Sequence, residues 1–130
     1  MRALVIGETG GIGAALSACL EGQGAEVTGW SRSRDGIDLT DETSVAAAAS
    51  RLDGPFTLIF DATGGLEIDG AAPEKSIAAI DPAAMAAQFA LNAIGPALLL
   101  KHLHGHLPKT GRGVFATLSR EATLVHSGDI

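Results

Sequence analysis

Five short apolar runs divide the chain, and each has the length and composition of a buried strand. They cover residues 2–6, 26–30, 36–39, 56–60 and 113–119. The third run follows the second after only a polar turn, which leaves no room for a full helix between them. The pattern therefore predicts a sheet of about five strands with a local compression at its third member.

Longer stretches between these runs repeat their apolar residues at helical spacing. They cover residues 11–22, about 42–52, a short segment around 74–79, and a long segment from 82 to 107. Thr40 or Asp41 can cap the second helix, and Asp81-Pro82 is typical of a helix start. Gly95-Pro96 predicts a bend in the last helix. Strands that alternate with helical crossovers indicate an α/β fold with a doubly wound parallel sheet of the Rossmann type, in a single domain of residues 1–130.

The first strand runs directly into a glycine-rich turn whose sequence is GETGGIG. Gly7 allows a tight turn, Gly11 allows the backbone to approach a pyrophosphate, and Gly13 allows the helix to approach the sheet. The helix that follows presents N–H groups and a positive dipole end to the phosphates. This placement favours dinucleotide binding over a merely tight turn. We expect the Glu8 side chain to point to solvent, because a carboxylate beside a pyrophosphate would repel it.

A basic turn, Ser31-Arg32-Ser33-Arg34, follows the second strand, where the adenosine ribose lies in such folds. NAD-selective sites place an acid there, whereas a 2′-phosphate favours arginine and hydroxyl donors. The sequence has no acid directly after this strand, so it predicts NADP(H) rather than NAD(H). The alternative is a solvated basic turn. We expect Trp30 to pack against strand and helix rather than to stack on adenine.

Two further segments complete the predicted cofactor site. Asp38 can accept a hydrogen bond from the adenine amino group or cap the turn that follows it. Ala62-Thr63-Gly64 lie at the end of the fourth strand, where small residues let a cofactor approach the backbone. The predicted cofactor contacts are Gly7, Thr9, Gly10, Gly11, Ile12, Gly13, Ser31, Arg32, Ser33, Asp38, Leu39, Ala62, Thr63 and Gly64.

Charge and composition exclude several classes of partner. The formal net charge of −6 argues against nucleic acid and against an anionic membrane surface. No uninterrupted apolar run reaches about 18 residues, so no transmembrane helix is expected. Cys19 is the one cysteine and is predicted to be a small core residue, which together with the absence of a signal-peptide pattern favours the cytoplasm.

Histidines cluster at the end of the long helix, at positions 102, 104 and 106. Only His102 and His106 share a helical face, and no carboxylate or cysteine lies nearby in the sequence. Histidines are also favourable at a helix C-terminus for dipole reasons alone. The spacing therefore predicts no metal site.

Residues 2–119 resemble the short-chain dehydrogenase/reductase family, and most of all its divergent members related to the bacterial C-factor. The resemblance rests on the ordered segments GETGGIG, SRS, DLT, DATGG and LNAIGP. It implies that the glycine turn holds the pyrophosphate, that Arg32 with Ser33 selects the 2′-phosphate, and that Asp38 contacts adenine. It also implies that Asp61-Ala62-Thr63-Gly64 correspond to the family's N-N-A-G loop.

The family's catalytic residues have only partial counterparts. Asn92, a polar residue in an apolar helix, maps to the asparagine that holds a water in the family's proton relay. Ser119 aligns with the first serine of a Ser-Ser pair, which leaves Arg120 at the catalytic serine position. The sequence contains no tyrosine, so the Tyr-x-x-x-Lys pair has no counterpart, and a truncation or a shift of reading frame would each explain this.

These observations favour an NADP(H)-binding module of short-chain reductase descent. One alternative is an active NADPH-dependent reductase of small carbonyl compounds, whose site is completed by another acid or another chain. Another is a non-enzymatic protein that senses cofactor occupancy or serves as a scaffold.

The sequence also predicts a homo-oligomer. The last strand would be an uncovered edge, and apolar residues lie on more than one face of the long helix. Those residues are Met85, Phe89, Leu91, Ile94, Leu98, Leu100 and Leu103.

Overall fold

A parallel sheet forms the centre of the structure, a computed structural model that describes residues 1–64 and 75–118. The strands are β1 (Arg2–Ile6), β2 (Glu26–Trp30), β3 (Leu58–Asp61) and β4 (Val114–Thr117). Their order in the sheet is β2-β1-β3-β4, and every neighbouring pair is parallel. From β1 the chain thus moves to one side for β2 and to the other for β3 and β4. This arrangement confirms the predicted doubly wound α/β fold.

Helices connect the strands at close to the predicted positions. They are α1 (Gly11–Gly22), α2 (Arg32–Asp35), α3 (Glu42–Ser50), α4 (Pro82–Phe89) and α5 (Gly95–Leu103), with short 3₁₀ turns at Ile77–Ala79 and His104–His106. A π-helical segment, Ala90–Ile94, joins α4 to α5. This segment ends directly before Gly95-Pro96, and Pro96 has no N–H to donate to the preceding turn, so proline chemistry accounts for the break in α-helical hydrogen bonding at the predicted position.

Residues 36–39 do not form the predicted third strand, so the described sheet has four strands rather than five. Ile37 and Leu39 are buried, which accounts for the apolar run in the sequence. The N–H of Asp38, however, donates to the Ser44 hydroxyl at 3.0 Å instead of to a neighbouring strand. An apolar run indicates that its side chains are buried. Here Ile37 and Leu39 are buried by packing against the core, without forming a strand of the sheet.

The sheet is covered on both faces. Ala3 and Val5 point to the face where Leu20 of α1 is buried. Leu4 and Ile6 point to the opposite face and belong to a larger cluster, whose members are Leu4, Ile6, Trp30, Ile37, Leu39, Val45, Ala48, Ala49, Phe56, Ile59, Leu99 and Leu103. The alternation along β1 thus places α1 on one side and α3 and α5 on the other.

Cys19 is exposed, so the prediction that it is a core residue is wrong. The buried face of α1 consists of Gly13, Ser17 and Leu20, while Ile12 is 58% exposed. The apolar spacing had placed Ile12 and Cys19 on the same face as Leu20. In the structure the close approach at Gly13 turns the face of Gly13, Ser17 and Leu20 toward the sheet instead.

One helical stretch in the described residues, Pro82–His106, is long and apolar enough to cross a membrane by length and composition alone. No transmembrane helix was predicted because no uninterrupted apolar run in the sequence reaches the required length. Asn92 and Pro96 interrupt this stretch, but its mean hydropathy remains high. Leu99 and Leu103 of this stretch are fully buried in the larger core cluster. Core helices of soluble proteins pass the same test when they are mostly buried, but only 11% of the apolar window of this stretch is buried. The absence of a membrane partner therefore stays a prediction.

Candidate cofactor site

The glycine turn is anchored to the end of β2. Gly7 has a φ of +82°, a left-handed conformation that favours glycine. The N–H groups of Gly7 and Glu8 both donate to the carbonyl oxygen of Trp30, at 2.8 and 3.2 Å. The turn then closes on itself, because the Gly10 N–H donates to the Gly7 carbonyl at 3.1 Å. Backbone hydrogen bonds therefore fix the turn against the sheet.

The glycines of the turn have different surroundings. A Cβ on Gly13 would lie 2.1 Å from the carbonyl oxygen of Gly7, so only glycine fits where α1 meets the turn. A Cβ on Gly11 would meet nothing within 4 Å, so this position faces open space at the first residue of α1. The arrangement fits a pyrophosphate, which needs free approach to the N-terminus of a helix.

A cleft of about 200 Å³ opens beside this turn at the carboxyl ends of β1 and β2. It is lined by Ile6, Gly7, Thr9, Trp30, Arg32, Ile37, Asp38, Leu39, Thr63 and Leu91. Many of these residues are predicted cofactor contacts. Four more predicted contacts lie between the glycine turn and the first residues of α1, next to the cleft: Gly10, Gly11, Ile12 and Gly13. The last two, Ala62 and Gly64, flank Thr63 directly after β3.

Sequence reasoning did not single out the apolar lining residues Ile6, Ile37 and Leu91. Each lies within an ordinary apolar run, so nothing in the sequence distinguishes it from a core residue. Trp30 is 4% exposed and belongs to the larger core cluster, as expected from its packing role, although it also borders the cleft.

The basic turn folds into α2, and its hydroxyl and acid groups serve the helix itself. Ser31 caps α2, because its Oγ accepts a hydrogen bond from the Arg34 N–H at 3.2 Å. The Ser31 N–H donates to Asp35 Oδ2 at 2.8 Å, which brings a carboxylate back to the end of β2. Asp35 follows β2 by five residues in the sequence, so its carboxylate was not expected at this position. Arg32 lines the cleft, whereas Ser31 and Ser33 do not belong to its lining.

Glu8 does not point to solvent as expected. Its carboxylate forms an ion pair with Arg34 at 2.6 Å, and only 22% of its side chain is exposed. It lies across Gly29 of β2, where a Cβ would come within 2.0 Å of Glu8 Oε2. The arginine and the missing side chain at position 29 together explain how a carboxylate fits beside the glycine turn.

Asp38 borders the cleft and also caps its own turn. Its Oδ1 accepts hydrogen bonds from the Thr40 hydroxyl at 2.6 Å and from the Thr40 N–H at 2.9 Å. These bonds lower the pKa of Asp38 below its usual value, and the charge of Arg32 lowers it further. Of the two candidate caps of α3, Thr40 and Asp41, the structure uses Asp41, whose carboxylate accepts a hydrogen bond from the Thr43 N–H at 3.1 Å.

The end of β3 carries a fully buried carboxylate, Asp61. Its Oδ1 accepts hydrogen bonds from the N–H of Thr63, at 2.9 Å, and from the Thr63 hydroxyl. A Cβ on Gly7 would lie 3.2 Å from the Ala62 carbonyl carbon and from Thr63 Cγ2. The turn after β1 and the loop after β3 are therefore neighbours along one edge of the sheet.

Asn92 lies in the π-helical segment and is exposed, although most of its neighbours in the sequence are apolar. Its Nδ2 donates to Gln88 Oε1 at 2.9 Å. A Cβ on Gly64 would lie 2.9 Å from Asn92 Oδ1, so the amide reaches the loop after β3. Ser119, the other predicted catalytic residue, lies outside the described residues.

The histidine cluster has a carboxylate neighbour that the sequence did not reveal. His102 Nε2 lies 3.0 Å from Glu42 Oε1 on α3, and Lys101 donates to the same oxygen. Within residues 1–64 and 75–118, no group of three or more histidines, cysteines and acids could hold a metal ion. That no metal binds stays a prediction.

Comparison with known proteins places this geometry in a family. Residues 3–95 match the model of the NAD dependent epimerase/dehydratase family, so the chain belongs to that family. None of the curated proteins compared with the chain matches it.

Solved structures show the same fold. A small-chain dehydrogenase is 26% identical with a TM-score of 0.75, covering 90% of this chain and 58% of its own. A small-chain dehydrogenase in complex with NADPH is also 26% identical, with a TM-score of 0.74, covering 90% of this chain and 49% of its own. A Burkholderia multivorans protein with bound NADP, described as a short-chain dehydrogenase/reductase, is 19% identical with a TM-score of 0.73, covering 91% and 58%.

These findings confirm the resemblance to short-chain dehydrogenases. The chain is thus similar to the nucleotide-binding part of these dehydrogenases, and it spans roughly half the length of the structures it matches, 58% and 49% in the first two.

Proposed function

We propose that this chain binds NADP(H) in preference to NAD(H). The observation that carries the proposal is the position of Arg32, which lines the cleft at the end of β2 across from the glycine turn. A guanidinium there can pair with a 2′-phosphate, and the residue directly after β2 is Ser31 rather than an acid. The small-chain dehydrogenase solved with NADPH, 26% identical to the chain, supports the same cofactor.

The residues of the site fit distinct parts of this cofactor. The glycine turn and the start of α1 would hold the pyrophosphate, since Gly11 leaves open space in front of the helix. Asp38 would lie at the adenosine end, and Ala62, Thr63 and Gly64 would lie at the nicotinamide end with Asn92 close by. When bound, NADPH supplies a hydride to a carbonyl compound, and the resulting oxyanion needs a proton.

The proposal includes no catalytic proton donor in this chain. The sequence contains no tyrosine, which is the residue that the family uses for that purpose. We therefore propose that residues 1–130 form a cofactor-binding module that acts in the cytoplasm and has little or no reductase activity of its own.

Calorimetric titration tests the cofactor preference. Wild-type protein is titrated with NADPH and with NADH, and the Arg32→Glu variant is titrated in parallel. Loss of the arginine–phosphate pair should weaken NADPH binding by about tenfold or more, because charge-assisted hydrogen bonds contribute about 1.5–3 kcal/mol. NADH binding should change far less.

The matched control is Arg112→Glu, which changes the charge identically. Arg112 is exposed and lies in the loop before β4, at the opposite end of the strands from the cleft. It should leave the NADPH affinity unchanged apart from a small long-range effect. Equal binding of NADPH and NADH by the wild type would contradict the proposal, and so would an equal loss in both variants.

A further inference from the structure

The glycine turn and the basic turn are joined by an ion pair that crosses the edge of the site. Glu8 belongs to the turn after β1, and Arg34 belongs to α2 after β2. Arg34 Nη1 lies 2.6 Å from Glu8 Oε1. The pair therefore connects the segment proposed to hold the pyrophosphate with the segment proposed to hold the 2′-phosphate.

Every nitrogen of the Arg34 guanidinium has a partner within the protein. Nη1 pairs with Glu8, Nε lies 3.2 Å from Asp35 Oδ2, and Nη2 donates to the carbonyl oxygen of Gly29. Hydrogen bonding to Glu8 raises the pKa of Arg34 above its ordinary value, consistent with a charge that is well matched in place. The guanidinium is thus directed along the end of β2.

Gly29 provides independent support for this arrangement. Glycine weakens a strand interior, so its presence in β2 needs a reason. Here a Cβ would lie 2.0 Å from Glu8 Oε2 and 2.1 Å from its Cδ. The missing side chain creates the space in which the Glu8 carboxylate lies beside Arg34.

The two arginines of the turn therefore differ in what they offer a ligand. Arg34 faces the carboxylates of Glu8 and Asp35, so its positive charge is more than offset locally. Arg32 borders the cleft and forms no ion pair with any residue in the described part of the chain. The Asp38 carboxylate also borders the cleft and interacts with the charge of Arg32, but it makes no ion pair with it, so a phosphate that enters the cleft meets Arg32 with its donors available.

We propose that Glu8 is a specificity-determining residue: it holds Arg34 against the end of β2 and leaves Arg32 to recognise the 2′-phosphate. This inference rests on the proposed NADP(H) binding. Glu8 acts through Arg34 and is a positioning residue, not a ligand contact. The Glu8 carboxylate also lowers the net positive charge near the pyrophosphate. Glu8 therefore reduces the affinity for NADP(H) in addition to positioning Arg34.

A double-mutant cycle separates this role from direct recognition by Arg34. The variants are Glu8→Gln, Arg34→Gln and the double variant, with Arg32→Gln as the reference. Each is titrated calorimetrically with NADPH and NADH at low salt. The double variant keeps the net charge of the wild type, which removes the confounding effect of an unpaired carboxylate in Arg34→Gln.

The double variant should bind NADPH within about twofold of the wild type, since neither side chain contacts the ligand in this proposal and the net charge is unchanged. Arg32→Gln should lose about tenfold or more, as expected for a lost charge-assisted contact. Glu8→Gln should bind NADPH several-fold more tightly than the wild type and raise its preference over NADH, because the released Arg34 can then reach the 2′-phosphate.

Gly29→Ala tests the same pair without changing any charge. The new Cβ meets the flexible end of the Glu8 side chain, so the carboxylate must move while the backbone of β2 stays in place. We expect a smaller change in the same direction as Glu8→Gln. This second route matters if the Glu8 variant disturbs the turn.

The outcomes distinguish the inference from the proposed function. A double variant that loses as much NADPH affinity as Arg32→Gln would show that Arg34 contacts the phosphate, and would overturn the inference while leaving NADP(H) binding intact. An unchanged NADPH-to-NADH ratio in both Glu8→Gln and Gly29→Ala would overturn it as well. A wild-type protein that binds neither dinucleotide would overturn the proposed function and this inference together.

Discussion

The Thr117 hydroxyl of β4 donates a hydrogen bond to Asp61 Oδ2 of β3 at 2.9 Å. Asp61 is fully buried, and a buried carboxylate is costly unless donors satisfy its oxygens. Thr63 satisfies the other oxygen from the loop that follows β3. The pair therefore links the edge strand of the described sheet to the loop that approaches the glycine turn.

Thr117→Val should lower the free energy of unfolding by about 1–3 kcal/mol. Valine keeps the shape and the strand preference of threonine but leaves one buried carboxylate oxygen without its donor. Chemical denaturation followed by circular dichroism measures the change. Thr28→Val on β2 is the matched control, because Thr28 makes no side-chain hydrogen bond with a described residue. A loss no larger in Thr117→Val than in Thr28→Val would contradict the role of the pair.

Gly13→Ala and Gly11→Ala should have opposite consequences. At position 13 a Cβ would lie 2.1 Å from the Gly7 carbonyl oxygen, so α1 must move away from the turn and the protein should be destabilised by several kcal/mol, about 2 or more. At position 11 nothing lies within 4 Å, and alanine is the better helix former by about 1 kcal/mol.

NADPH binding should also distinguish the role of Gly11 from that of Gly13. Gly11→Ala should remain folded and yet lose NADPH affinity, since its methyl group occupies the space through which a pyrophosphate reaches the helix N-terminus. Thermal unfolding and calorimetry on both variants make the comparison. A Gly11→Ala protein with unchanged affinity would show that the pyrophosphate does not approach at this position.

The fold could be predicted largely because its signals are local. The apolar run of β1, the glycine turn and the Asp81-Pro82 helix start each depend on residues that are adjacent in the sequence. Asp81 does accept from the Ala84 N–H at 3.0 Å, as an N-cap should. The same local reasoning failed at residues 36–39, where burial without strand pairing gives the same apolar pattern as a strand.

The site was harder to predict because its contacts join distant segments. Nothing in the sequence around Glu8 indicates that Arg34 and Gly29 lie beside it, since β1 and β2 become neighbours only when the sheet forms. Glu42 and His102 meet in the same way, across α3 and α5. Cys19 was wrongly predicted to lie in the core for the same reason, because the close approach of Gly13 to the glycine turn becomes visible only in the folded structure.

Glu42→Gln should reduce stability in a way that depends on pH. Hydrogen bonds from Lys101 and then His102 lower the pKa of Glu42 below its ordinary value. The folded protein thus binds this proton less readily than the unfolded chain. The extra stability of the wild type over Glu42→Gln should be fully present above the ordinary glutamate pKa of about 4.3. It should be lost as the pH falls through the lowered pKa of Glu42 in the folded protein.

Thermal unfolding of wild type and Glu42→Gln between acidic and neutral pH measures this dependence. The effect should be small and should shrink at high salt, since all three side chains are at least partly exposed. Glu21→Gln is the matched control, because Glu21 is an exposed helical glutamate with no ion pair among the described residues. A pH-independent difference, or an equal one in the control, would contradict the argument.

Apolar side chains remain exposed on α4, on the π-helical segment and on the edge strand, and they predict self-association. Phe89 is 58% exposed and Ile94 is 54% exposed, while β4 ends the described sheet with an unpaired edge. Light scattering at micromolar concentration should show a dimer or a larger assembly.

Phe89→Lys and Ile94→Lys should shift this assembly to monomer, because an interface would have to bury the new charge. Ala18→Lys adds the same charge to the exposed surface of α1 and should leave the assembly intact. A monomeric wild type would refute the prediction.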